Sequence, residues 1–387
     1  MKLADRLQEI QPFFVMDLLA RARELEAQGS SVIHMEIGEP DFPTPQSVIR
    51  AGQQSLSDEK THYTPALGLP ELRQKIAHYY QSEFNLELSP RRIIITPGAS
   101  GALQLALAVL VNPNSEVLLA DPGYPCNRHM VRLFEGKAVS VPVDAESLFQ
   151  LTPQRLEQYW TEQTVALMIA TPSNPTGNCI GKDAMQSLID DVDKHHAMLI
   201  VDEIYQGLVY DAENYTALTL SDEIIVINSF SKYFGMTGWR LGWMVVPEEM
   251  VDAIDRVSQN IFLAPSTIAQ YAALEAFSTE SMSVMQARRD EFKQRRDYLL
   301  AELRRLGFKI LDVPQGAFYI YADCTALSND SFELSAQLLE KAGVAVTPGK
   351  DFGSYKAAAH LRFAYTQPVS VLEQGVARIE KYIKDYL

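Results

Sequence analysis

Long hydrophobic runs are missing from this 387-residue chain. No apolar stretch approaches the roughly 20 residues that a membrane-spanning helix needs. The opening MKLADRLQEIQPFF lacks the continuous apolar core of a secretory signal. Cysteine is scarce: Cys126, Cys179 and Cys324 form an odd, widely spaced set with no CxxC pair. That excludes a disulfide framework and leads us to expect reduced thiols in a cytoplasmic protein. Positive charge is also short, with 34 Lys and Arg against 49 Asp and Glu and a net charge of −15. A nucleic-acid binder usually shows a basic face, so neither nucleic acid nor membrane is an expected partner. The GxGxxG dinucleotide fingerprint and the GK[ST] of a Walker A loop are both absent. His195 and His196 are adjacent and cannot share one helix face, and no carboxylate pattern beside them suggests a metal site.

Apolar material is nonetheless ample, at 47% of residues with 21% charged, enough for a sizeable core and for two domains. RRIIIT (91–96), EVLLA (116–120), TVALMIA, MLIVDE, EIIVIN and GWMVV are short runs rich in Val, Ile and Leu, several of them alternating with helical patterns. Such runs suit strands buried on both faces of a mainly parallel sheet covered by helices, an α/β architecture. Residues 124–133 can be helical.

The pattern changes towards the C-terminus. A charged helical pattern from about Met285 runs to Gly307, a natural helix stop. FKILDV and GAFYIYA read as strands, LSAQLLEKAG as a helix, HLRFAYT as a strand and VLEQGVARIEKYIKDYL as a closing helix. The RRDEFKQRR run within the charged helix reads as a solvated face carrying i,i+4 ion pairs. We therefore expect a large domain over 46–290 and a smaller α+β domain from 1–45 and 291–387, with GEPDFPTP (38–45) as the break.

Five segments fall where strands should end, the usual place for ligand sites in open α/β sheets. TPGASGAL (96–103) puts a glycine turn before a helix, a ready anion site, with Ser100 as an added donor. DPGYPCNRH (121–129) places Tyr124 just past a strand, where, taken alone, it reads as a turn tyrosine packed on the core. TPSNPTG (171–177) holds Asn174 between two prolines; a plain turn explains the prolines and glycine but not the amide. VDEIYQG (201–207) ends a strand on Asp202, a desolvated carboxylate that needs a partner, or a helix cap, with Tyr205 three residues on. NSFSKYFGMTGWRLGW (228–243) sets Lys232 among Ser229 and Ser231, with Arg240 following. A lysine withdrawn from water has a lowered pKa and forms Schiff bases with carbonyls, and an arginine suits a phosphate. Each residue alone also fits a structural role. One ligand uses all five segments: pyridoxal 5′-phosphate has an aldehyde, a phosphate, an aromatic face, a ring nitrogen and a phenolic oxygen.

With YTPALGLPELR (63–73), PGASGAL, DPGY, SNPTG, VDEIY, SFSKYFGMTGWRLGW and PGKDFG…LRFAY in that order, the chain closely resembles the class I, fold-type-I pyridoxal-phosphate aminotransferases over nearly its whole length. The resemblance implies that Lys232 carries the cofactor as an aldimine and shuttles the substrate Cα proton, and that Asp202 keeps the ring nitrogen protonated. It implies that Tyr205 and Asn174 bind the phenolic oxygen and that Tyr124 stacks on the ring. The phosphate falls to the Ala99 amide, Ser100, Ser229, Ser231 and Arg240. Tyr63 is similar to a residue that reaches the neighbouring subunit's phosphate, which implies a homodimer with shared sites. Arg362 matches the arginine that clamps the substrate α-carboxylate, a task suited to a planar fork, and Gly38 brings its backbone close to the substrate.

The expected activity is transfer of an amino group from an L-amino acid to a 2-oxo acid by a ping-pong cycle. The alternative on the same scaffold is a β-lyase of the cysteine-conjugate type. A non-catalytic ligand sensor is a further alternative; only about 45 residues precede the first large-domain motif, they are not basic, and Lys232 is present. Arg128 is a candidate reader of a distal substrate carboxylate, against a surface arginine as the plainer account.

Overall fold

The computed structural model describes residues 2–387. The short β1 (Ile33–His34) precedes seven strands: β2 (Ile93–Thr96), β3 (Glu116–Asp121), β4 (Lys137–Pro142), β5 (Thr164–Ala170), β6 (Met198–Asp202), β7 (Ile225–Ser229) and β8 (Gly242–Val245). β9 (Tyr319–Asp323), β10 (Val344–Ala345), β11 (Thr347–Pro348) and β12 (His360–Ala364) follow. The seven form one sheet in the order β2-β8-β7-β6-β5-β3-β4. β8 alone runs against the others, pairing antiparallel with β2 and β7.

Period-two side-chain alternation divides the core between the two sheet faces. Ile93, Ile95, Leu199, Val201 and Val226 join one buried cluster, while Ile94, Ile200, Ile225 and Ile227 join the other. Burial on both faces is why these strands read as unbroken apolar runs. The C-terminal strands make a separate antiparallel sheet, β11-β12-β9, and β1 pairs in parallel with β10. The first 45 residues thus share a small sheet with the C-terminal segment.

Three sequence expectations need correction, and one strand was missed. FKILDV forms no strand: only Lys309 bridges, to Asp323, while Leu311 is 74% exposed and Pro314 follows. β4 was not anticipated, because as an edge strand it is half-exposed and ends in proline. The charged helix starts at Thr279, not near Met285, with Ser278 Oγ capping Ser281 N at 3.3 Å, and it runs to Arg305 across position 290. Its RRDEFKQRR run is not wholly a solvated face. Arg295 is 2% and Arg296 1% exposed. Arg295 meets Asp41 at 2.8 Å, Glu291 at 3.0 Å and the Thr366 carbonyl, and packs on Phe42; Arg296 binds Asp211, Asp297 and the Pro314 carbonyl. Both guanidiniums are buried with an acceptor at every nitrogen, which charge pattern alone does not reveal. Gly307 ends the helix with φ +98°, as anticipated.

Candidate active site

The parallel strands all end on one edge of the sheet, and the loops leaving them carry the motifs. β2 leads into the Gly98–Leu110 helix, β3 to Tyr124, β5 to Asn174, β6 ends on Asp202, and β7 leads to Lys232. They converge on a cavity of about 430 Å³ lined by Lys232 together with Ser100, Tyr124, Asn174, Asp202 and Arg362, among others.

Lys232 Nζ donates to the Gly38 carbonyl at 2.6 Å and lies 5.9 Å from the Tyr205 ring and 5.7 Å from the Phe318 ring. Burial pushes its amine down to about 8; Arg362 and Arg240 add to this, while Glu39 and Asp202 oppose it. Asp202 accepts from the Ile204 amide at 3.0 Å, and burial raises its carboxyl to about 6 against the pull of that amide and of Lys232. Amine and acid are thus both shifted towards neutrality, a pairing typical of reactive sites.

The Gly98–Leu110 helix begins without a side-chain cap, so its first N–H groups, Ala99 and Ser100 among them, lack side-chain partners. Arg240, held at φ +54°, packs against this terminus: a Cβ on Gly98 would lie 2.9 Å from its Nη2. Its Nη1 donates to the Thr237 carbonyl at 3.1 Å and to Ser231 Oγ at 3.5 Å. A helix N-terminus and a guanidinium facing one another repel unless an anion sits between them. Ser229 Oγ is occupied with backbone, accepting from Ser231 N at 3.0 Å and donating to the Leu241 carbonyl at 3.3 Å, so it braces the turn that carries Ser231.

Arg362 is 5% exposed and forms the opposite wall. It donates to Asn174 Oδ1 at 3.0 Å, to Thr347 Oγ1 at 3.2 Å and to the Glu36 carbonyl. Its guanidinium lies 4.3 Å from the Tyr319 ring and 4.8 Å from that of Phe352, and its Nε has no hydrogen-bond partner among the described residues. Tyr319 was not singled out from sequence. Its hydroxyl bonds to that of Tyr205 at 2.9 Å, and a Cβ on Gly38 would come within 1.8 Å of it. Glycine at position 38 therefore makes room for Tyr319 as well as presenting its carbonyl to Lys232. The GAFY context hinted at a strand but not at this contact, which only the docking of the two sheets creates.

Two candidates lie elsewhere. Tyr63 is 81% exposed and does not line the cavity. Arg128 lines an adjoining space of about 270 Å³ on the β3–β5 side and donates to the Asp351 carbonyl at 3.0 Å.

A buried lysine and a buried arginine share one cavity at the strand-end edge of a mostly parallel sheet, with Arg240 facing an uncapped helix N-terminus, an arrangement of α/β enzymes. A family model described as "Aminotransferase class I and II" matches residues 30–379, and the chain belongs to that family. It is similar, at 36% identity over 98% of this chain and 99% of the relative, to the (5-formylfuran-3-yl)methyl phosphate transaminase of Methanocaldococcus jannaschii. It is 34% identical to the valine–pyruvate aminotransferase of Mycobacterium tuberculosis, over 97% of each chain. Among solved structures, an aminotransferase from Mycobacterium tuberculosis superposes with a TM-score of 0.96 at 33% identity, covering 99% of both chains. The aspartate aminotransferase of Thermus thermophilus with maleate gives 0.93 at 34% identity, over 98% of this chain and 99% of that one. The chain is an aminotransferase of the fold-type-I class, and its relatives are named for amino-group transfer.

Proposed function

We propose that this enzyme moves the amino group of an L-amino acid to a 2-oxo acid in two alternating half-reactions, with pyridoxal 5′-phosphate held in the Lys232 cavity. One observation carries this: an amine depressed to about 8, a carboxyl raised to about 6, an uncapped helix terminus opposed by Arg240, and a buried arginine share one cavity. The donor set fits the cofactor group by group. The chemistry supplied by the bound cofactor is an aldehyde carbon and an electron-withdrawing pyridine ring.

The chain's own residues do the rest. Lys232 Nζ, in its neutral form, would hold the cofactor's aldehyde carbon and would move the proton at the donor's Cα. Asp202 holds the ring nitrogen's proton, while Tyr205 and Asn174 serve the phenolic oxygen. Tyr124 would hold the ring. The Ala99 amide, Ser100, Ser231 and Arg240 grip the phosphate, braced by Ser229. Arg362 would take the donor's α-carboxylate as a bidentate fork, with the Gly38 backbone brought close to it. Tyr63, exposed and outside its own cavity, belongs to the neighbouring site of a homodimer. Reduced, sparse thiols accord with a cytoplasmic enzyme.

Borohydride trapping of the purified protein, followed by peptide mapping, tests this. The reduced adduct is expected on Lys232. Labelling elsewhere, or none, overturns the proposal.

A further inference from the structure

Asp121 opens the turn that carries Tyr124, yet the chemistry above does not use it. It is buried and does not line the Lys232 cavity. Its carboxylate accepts from the Ser354 amide at 3.0 Å, from Ser354 Oγ at 3.0 Å and from the Tyr355 amide at 3.3 Å. Hydrogen bonds to a charged acceptor are the strong ones, so this anchor is firm. The approach is close: a Cβ on Gly353 would lie 1.8 Å from Asp121 Oδ1. Two more groups of the same turn reach the same segment. Gly123 N donates to the Phe352 carbonyl at 2.9 Å, and Arg128 donates to the Asp351 carbonyl at 3.0 Å. The junction leaving β3 of the seven-stranded sheet thus grips residues 351–355, which lie between β11 and β12 of the smaller sheet.

The gripped segment delivers Phe352 to the site. Its buried ring lies 4.8 Å from the Arg362 guanidinium, a cation that an aromatic face attracts. Arg128 belongs to the same arrangement. Besides its bond to the Asp351 carbonyl, its charge is close enough to act on the Asp121 and Asp351 carboxylates. All of these contacts lie within one chain.

We infer that Asp121, with Arg128, is a positioning residue for the donor's α-carboxylate: the two clasp residues 351–355 so that Phe352 holds the Arg362 guanidinium in place. This role presupposes that Arg362 takes that carboxylate, as proposed above. Every amino donor carries an α-carboxylate, so loosening the clasp weakens all donors alike, whatever their side chains.

The test takes holoenzyme of the wild type, Asp121→Asn, Arg128→Gln and Arg362→Lys through the half-reaction with alanine, leucine and glutamate, read by the cofactor's absorbance. Asp121→Asn turns one acceptor oxygen into an N–H2 group that faces donors. Asp121→Asn and Arg128→Gln are expected to raise KM about 10–100-fold, by the same factor for all three donors. The cofactor's absorbance and borohydride trapping at Lys232 should stay as in the wild type. In the Arg362→Lys background, Asp121→Asn is expected to add less than about a threefold further loss. Ser354→Ala removes a single donor, should raise KM less, and carries the test where Asp121→Asn does not fold. A lowered melting temperature with unchanged KM overturns the inference, and so does full additivity with Arg362→Lys. A loss confined to glutamate overturns it too, assigning Arg128 to the donor's side chain instead. An unchanged KM in Arg362→Lys overturns the carboxylate reading itself, and the clasp's role with it.

Discussion

Gly38→Ala puts a methyl group where the Tyr319 hydroxyl already is. The new Cβ would lie 1.8 Å from Tyr319 Oη and 2.9 Å from its Cζ, against 3.4 Å for ordinary contact. Tyr319 cannot simply swing aside, since it is 1% exposed and wedged between the Tyr205 ring and the Arg362 guanidinium. Overpacking of this kind costs about 1–3 kcal/mol. Displacing the hydroxyl also breaks its 2.9 Å bond to Tyr205, worth about 0.5–1.5 kcal/mol. Tyr319→Phe removes the oxygen and with it the worst of the clash, so the double variant should be more stable than the two single changes predict by about 1–3 kcal/mol. The assay is urea unfolding of the four proteins, with tryptophan fluorescence and far-UV circular dichroism read together and slopes compared before midpoints. Kinetics supply a second readout, because the Gly38 carbonyl holds Lys232 Nζ. Additivity within about 0.5 kcal/mol would refute the reasoning, for it would mean that Gly38 and Tyr319 do not share the space the geometry gives them.

Lys232 titrates near 8 rather than 10.5, so covalent capture of pyridoxal phosphate by the cofactor-free protein should accelerate as pH rises through about 8; stopped-flow absorbance that is flat from pH 6.5 to 9.5 would contradict it. The same shift has a stability sign: between about 8 and 10.5 the unfolded chain keeps a proton that the folded chain has lost, so the cofactor-free fold gains stability as pH rises through that window. Asp202 shows the opposite slope. Its carboxyl is raised from 3.8 to about 6, so its contribution is present below 3.8 and is lost as pH rises through 6. Asp202→Asn should therefore make the cofactor-free protein more stable than wild type above pH 6, by roughly 1–3 kcal/mol, while abolishing turnover; calorimetry and a donor assay read the two effects separately. Arg362→Lys keeps the charge but loses the fork and its contacts to Asn174 and Thr347, and should lower kcat/KM about 10–150-fold, mostly through KM; an unchanged KM would remove Arg362 from carboxylate binding.

How far the sequence led depended on whether a feature is local. β5 and β7 announce themselves because both faces of each strand are covered, making Ile225, Val226 and Ile227 an unbroken apolar run. The lysine, aspartate, asparagine and tyrosine at the strand ends were legible for a related reason: each breaks an apolar or small-residue run at a point where desolvation demands a purpose. β4 carries no such mark, since an edge strand with proline and exposed serine looks like a loop. Arg295 and Arg296 misled because helix spacing predicts neighbours along the helix, whereas their main acceptors, Asp41 and Asp211, come from more than 80 residues away. Tyr319 is the instructive case. Position 319 lies on a strand of the C-terminal sheet, position 38 on the N-terminal break and position 205 on a central-sheet loop, and no periodicity relates them. What joins them is the seam between the two sheets, where a missing side chain at 38 admits a hydroxyl that meets Tyr205 and a ring that lies against Arg362. A single phenol thereby connects the lysine's carbonyl anchor, the tyrosine of VDEIY and the buried Arg362.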